Sequence, residues 1–249
     1  MENFASLMSQ LGNEPCMVQD SDEMFVLRES DDYQSKVALG NKLSAQYRFK
    51  EAIEAYSEAL KIKSDDYLTY QRIAGACLTI RDFEQSLKYY KKALELLSDE
   101  KPVAFTMGAY FYLCGEYKLA QEWLLKVLPS NGELEIAVIY WHTLCSYRLG
   151  EEPVLLKGFD DNMDVGHHEA YKKAVKVFKG TSSYREILDS VQNNKNSLDY
   201  PIISYGIARF MDYNGDNEGS LKLMDELLLH QDFWPCISYL AAFGDMKER

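Results

Sequence analysis

His142 and Cys145 stand three residues apart in an apolar stretch, so on a helix the imidazole and the thiol would share a face. That pairing is the beginning of a nucleophilic site. Such a site also needs a group that orients the base and donors for an oxyanion, and no neighbouring motif supplies either. His167-His168-Glu169 is the one local grouping of metal-ligand types. Adjacent histidines leave a helix in different directions, whereas zinc-binding pairs are spaced i, i+4, so the triplet reads as a solvated helix start. No glycine-rich phosphate loop and no G-x-S-x-G elbow occurs. The five cysteines, Cys16, Cys77, Cys114, Cys145 and Cys236, are odd in number and form no C-x-x-C pair. They read as free thiols in a reducing compartment, with Cys77, Cys114 and Cys145 acting as small buried hydrophobes. These residues predict no catalytic centre, no metal and no cofactor.

The balance of 39 acidic against 27 basic side chains gives a net charge of −12. A field of that sign repels phosphate backbones, and no Lys/Arg cluster offsets it, so a nucleic-acid partner is not expected. No basic segment followed by an apolar one marks a signal peptide, and no apolar run is long enough to cross a bilayer. The expected setting is cytoplasmic, with no membrane partner.

What must position any functional group is a repeat. Leu39-Gly40, Ile73-Ala74 and Met107-Gly108 lie 34 residues apart. The same step links Leu43, Cys77 and Phe111, then Phe49, Phe83 and Tyr117, then Ala52, Ser86 and Ala120, then Tyr56, Tyr90 and Leu124, and finally Ala59, Ala93 and Val127. Fixed-period similarity of this kind marks stacked supersecondary units. Small residues at Gly40, Ala52 and Ala59 allow two helix backbones to approach, and Leu43, Phe49 and Tyr56 fill the gaps. Residues 33–134 thus hold three regular helical hairpins.

Residues 1–32 precede them as an arm, with Phe4, Leu7, Met8 and Leu11 on one stripe of a short amphipathic helix that should be buried somewhere. Residues 135–200 read as two degenerate hairpins. The first carries a helix ending at Leu149-Gly150, and Gly158 to Gly166 form a loop. The second has a helix stopped by Gly180 and another capped by Ser182 or Ser183. Residues 201–249 restore the register, with Ile207-Ala208 at the Leu-Gly position and Asn214-Gly215 at the turn, followed by a capping helix from about Asp232. That last helix is so apolar, from Cys236 to Phe243, that it should meet a partner or pair as a homodimer.

The pattern of large residue, Leu-Gly, aromatic, small residue, aromatic and alanine resembles the tetratricopeptide repeat family. Lys36 departs from it where an aromatic is usual, as do Ser64 and Ser98 where proline is usual. The resemblance implies an all-α, right-handed superhelical solenoid of about six antiparallel helix pairs, two of them degenerate. It also implies that the first helix of each pair lines a concave groove for a peptide or partner protein. The groove positions are then Asn41 in the first unit, Gln71 in the second, and Phe105, Ala109 and Tyr112 in the third. Tyr140 and Tyr147 fall in the fourth, Tyr205 and Arg209 in the last. The competing reading is that some of these aromatics pack in the core, one place out of register. The family's carboxylate clamp is not expected. Asn41 matches it, but Val37, Pro102 and Thr106 stand where it needs basic residues, and Arg72 stands where it needs asparagine.

The function this supports is a non-enzymatic adaptor or scaffold. The alternative is a peptide-responsive sensor whose curvature changes on binding. The 32 residues of the arm are too few for a separate helix-turn-helix effector, which favours the adaptor.

Overall fold

The computed structural model describes residues 19–192, 195 and 197–247. The apolar stripe Phe4, Leu7, Met8 and Leu11 lies outside the described residues, as do Cys16 and Arg249. Among the described residues there are α-helices, two 3-10 turns and no strand. The chain divides into two compact units at Val103/Ala104.

The N-terminal unit holds α1 (Asp22–Glu29), α2 (Tyr33–Ala45), α3 (Phe49–Ile62), α4 (Tyr67–Thr79) and α5 (Phe83–Glu95), each packed on the next. The 34-residue period appears in the helix ends as well as in the core. Asp32 and Asp66 cap α2 and α4 by accepting hydrogen bonds from Ser35 N and Thr69 N, at 2.9 and 3.0 Å. The turn inside each hairpin places one residue at positive φ: Tyr47, Arg81 and, in the next repeat, Gly115 at +79°. Gly40 is required for a different reason. A Cβ there would sit 2.3 Å from the Tyr56 ring, so the absent side chain lets α2 and α3 close on Tyr56. In the second hairpin Ala74 takes that place, and the Ser86 hydroxyl donates to its carbonyl at 2.9 Å.

α1 was not foreseen in the arm. Ser21 caps it, and Met24 and Leu27 carry it onto the core of Leu39, Leu43, Ala52, Tyr56, Ile73 and Cys77. It also explains Lys36. The lysine stem is buried where the repeat prefers an aromatic. Its Nζ donates to the last-turn carbonyl of Arg28 at 2.7 Å and pairs with Glu58 at 3.0 Å.

An ionic lattice holds α1 down. Asp20 pairs with both Arg28 and Arg48, and Glu51 lies 2.8 Å from Arg28 and 2.7 Å from Arg48. Hydrogen bonding from Arg28, and then from Arg48, holds the Asp20 carboxyl below the usual carboxylate range despite the cost of burial. A carboxyl whose folded pKa is depressed stabilises fully above its unfolded value of ~4 and loses that contribution as pH falls through the folded value. We expect the urea midpoint of the parent to fall more steeply than that of Asp20→Asn as pH drops below about 4. At pH 7 the variant is expected to be the weaker of the two. Parallel curves would remove Asp20 as the acid-sensitive tie.

The C-terminal unit contains α6 (Lys101–Leu113), which starts at the boundary, and α7 (Tyr117–Leu125). Gly108 repeats the close approach of Gly40, its missing Cβ lying 2.7 Å from Leu124. α8 (Gly132–Leu149) is then buried along twelve consecutive residues, Ile136 to Tyr147. A helix apolar on every side belongs inside a unit, and α7, α9, α11 and a 3-10 turn surround it. α9 (Glu169–Lys179) and α10 (Tyr184–Gln192) follow, then the hairpin of α11 (Asp199–Tyr213) and α12 (Asn217–Leu228), and α13 (Ile237–Lys247).

Two expectations are corrected here. Residues 135–168 are not a hairpin. After the left-handed Gly150 cap, Pro153 admits only the 3-10 turn Val154–Gly158, and the Asp- and Gly-rich stretch to Gly166 replaces a second helix. The last helix begins at Ile237 instead of about Asp232, because Gln231–Phe233 forms a 3-10 turn and Pro235 interrupts the backbone bonding. Tyr239, Leu240, Ala241, Ala242 and Phe243 are buried within the unit, against α11 and α12. The apolar surface that suggested a homodimer is therefore covered by the same chain.

Candidate functional site

The groove positions separate into two environments. In the N-terminal unit Asn41 is exposed and Gln71 half-exposed, on α2 and α4. Tyr56 reaches across from α3. Its hydroxyl donates to Asn41 Oδ1 at 2.9 Å and lies 3.4 Å from Ser44 Oγ. With Oδ1 accepting from Tyr56, the NH2 group is the donor side of the Asn41 amide. Burial raises the Tyr56 hydroxyl, with the Ser44 contact and the nearby positive charge of Arg72 pulling the other way. Arg72 is half-buried, and its charge also reaches the Tyr33 hydroxyl. Val37, which stands where the clamp would need a basic residue, is buried.

In the C-terminal unit Phe105 is half-buried, and the other positions are core. Ala109, Tyr112, Tyr140, Tyr147, Tyr205 and Arg209 are between 0% and 7% exposed. The expected aromatic groove is thus not open at these residues. These positions fall on helices that other helices surround. Tyr112, Trp141 and Tyr140 stack edge to face, with centroids 4.9 and 5.2 Å apart. The Tyr140 hydroxyl donates to the Ile202 carbonyl at 2.7 Å, and Tyr147 lies against Tyr213 at 4.3 Å. Burial pushes the Tyr112, Tyr140 and Tyr205 hydroxyls well above the usual tyrosine range, and for Tyr112 and Tyr205 the Asp245 charge adds to it.

A polar network closes on Asp245 of α13. The carboxylate accepts hydrogen bonds from Arg148 Nη1 at 2.6 Å, the Tyr205 hydroxyl at 3.0 Å and Arg209 Nη1 at 3.2 Å. The Tyr112 and Tyr205 hydroxyls are 2.7 Å apart, and Asp212 takes Arg209 Nη2. Burial opposes both guanidinium charges, but the carboxylate and tyrosines outweigh it, so Arg148 and Arg209 stay charged. Arg148 also lies over the Tyr117 ring at 4.7 Å. Sequence reasoning missed Arg148 and Asp245. The available signal was the one arginine of α8 and the one aspartate of α13, each near the end of a largely apolar helix.

His142 and Cys145, the pair that suggested catalysis, are both buried. Burial pushes the Cys145 thiol up and the His142 imidazole down, the opposite of an activated thiolate–imidazolium pair. Among the described residues, no three His, Cys, Asp or Glu side chains converge on a metal position, and no helix is long and apolar enough to cross a membrane.

No protein-family profile matches the chain, and no curated protein matches it in sequence. Among solved structures it is similar to that of YrrB, a TPR protein with an unusual peptide-binding site. The identity is 14%, the match covers 91% of this chain and 98% of that one, and the TM-score is 0.48.

Proposed function

We propose that the chain is a non-enzymatic protein-binding adaptor, with the exposed face of α2 and α4 in the N-terminal unit as its binding surface. The observation that carries this is the exposed Asn41 amide, whose Oδ1 accepts from the Tyr56 hydroxyl. An amide held that way suits a peptide carbonyl. Gln71 and the guanidinium of Arg72 lie on the neighbouring helix, so the face offers donors to both backbone carbonyls and a carboxylate. The net charge of −12 works against strongly acidic ligands at long range. The ligand that fits is a peptide segment with few charges and one carboxylate for Arg72.

The test begins with a partner captured from cell extract and identified. Titration of the parent, Asn41→Ala and Arg72→Ala against that partner follows. Each variant is expected to bind about tenfold more weakly with unchanged helical content, since neither side chain is part of the core. Equal affinity for all three would move the binding surface elsewhere.

A further inference from the structure

In the C-terminal unit α13 lies against a face carrying Tyr205 and Arg209, and its Asp245 reaches Arg148. Tyr239, Leu240, Ala242 and Phe243 of α13 are each 1% exposed or less. Asp245, two residues past Phe243, enters the cradle of two guanidiniums and a tyrosine hydroxyl described above. We propose that this face is a recognition site for an amphipathic helix bearing one carboxylate, held shut in cis by α13 and opened by neutralising Asp245.

Charge and shape both limit the occupant. Asp245 is the carboxylate paired with Arg148, whereas Arg209 has Asp212 as well. With Asp245 neutralised, Arg148, whose side chain is 19% exposed, loses its carboxylate and keeps the weaker contact with the Tyr117 ring. A free anion would answer the charge but not cover the surface left by Tyr239, Leu240 and Phe243. An extended peptide alternates its side chains and cannot present that set on one side. A helix with large apolar residues spaced as Tyr239, Leu240 and Phe243, followed by an acid two places on, satisfies both. A small cleft lined by Tyr112, Tyr117, Leu240, Gly244 and Asp245 lies beside α13. Gly244 sits inside the helix beside it and weakens α13 relative to alanine.

The full-length chain provides the test, with a fluorescent synthetic peptide of residues 235–247 as the probe. Asp245→Asn is expected to bind the peptide on the order of a hundredfold more tightly than the parent does, the factor set by a largely buried charge that has lost its carboxylate. A peptide with asparagine in place of Asp245 should lose most of that gain. Asp245→Glu should stay closed like the parent. Hydrogen exchange on the parent gives a second readout, with the amides of 237–247 expected to open before those of 136–147. Peptide binding no tighter to Asp245→Asn than to the parent overturns the proposal. So does exchange of α13 only together with α8, and this readout decides the matter if Asp245→Asn does not fold. The Asn41 face is separate, and its partner titration is unaffected by either result.

Discussion

Trp141→Ala is expected to destabilise the C-terminal unit by about 3–5 kcal/mol, the range for removing a large aromatic from a packed interior. Trp141 is 1% exposed, and its ring is bracketed by Tyr112, Tyr140 and Tyr205, with centroids at 4.9, 5.2 and 6.3 Å. Deleting it leaves a void that three large rings bound to other partners cannot collapse into. Tyr112 and Tyr205 are tied to each other through their hydroxyls, and Tyr140 to the Ile202 carbonyl. Thermal melting should fall by roughly 10 °C, whereas Trp141→Phe should recover more than half of the loss. A shift of under about 1 kcal/mol for the alanine variant would mean that α8 is not the centre of the unit.

The same geometry changes what substitutions at Tyr112 and Tyr147 report. An open groove would let Tyr112→Ala weaken binding while sparing the fold. With Tyr112 at 3% and Tyr147 at 7% exposure, either truncation acts first on stability. Loss of binding in these variants would therefore say nothing about a contact with ligand unless the melting curve were unchanged.

The repeat made the N-terminal unit legible because every level of its sequence agrees. The period of 34 sets the core positions Leu39, Leu43 and Ile73, the caps Asp32 and Asp66, and the positive-φ turn residues Tyr47 and Arg81. Near Gly40, Ala74 and Gly108 the backbone approach leaves room for little else. What escaped was context that no single repeat contains. α1 covers the first hairpin, so Lys36 could replace an aromatic by bonding the Arg28 carbonyl, a contact eight residues back in the chain. Counting groove positions onto α8 failed because the count assumes one solvent-facing side. The residues Ile136 to Tyr147 offer no polar stripe to provide it, and that absence was readable from the sequence. Asp245 could not be paired with Arg148 in advance, because 97 residues separate them and no periodic rule connects them.

Arg209→Ala is expected to cost about 3 kcal/mol or more, the second large effect, and its partners make the origin separable. Arg209 is 4% exposed and bridges Asp245, at 3.2 Å, to Asp212. Asp245 keeps Arg148 when Arg209 is removed, so its charge remains compensated. Asp212 loses its Arg209 ion pair, and its side chain is 19% exposed. The penalty should therefore fall mainly on Asp212 and on the volume vacated beside Tyr205. Arg209→Ala with Asp212→Ala should then be more stable than Arg209→Ala alone, by about 1 kcal/mol, while Arg209→Ala with Arg148→Ala should be much worse than the sum of the two, because the second change strands Asp245. Urea unfolding of six chains, the parent, the three single variants and the two double variants, measures both couplings. Strict additivity in both pairs would mean that the charges around Asp245 act independently, and the cradle would be a set of neighbours with no shared function in holding α13.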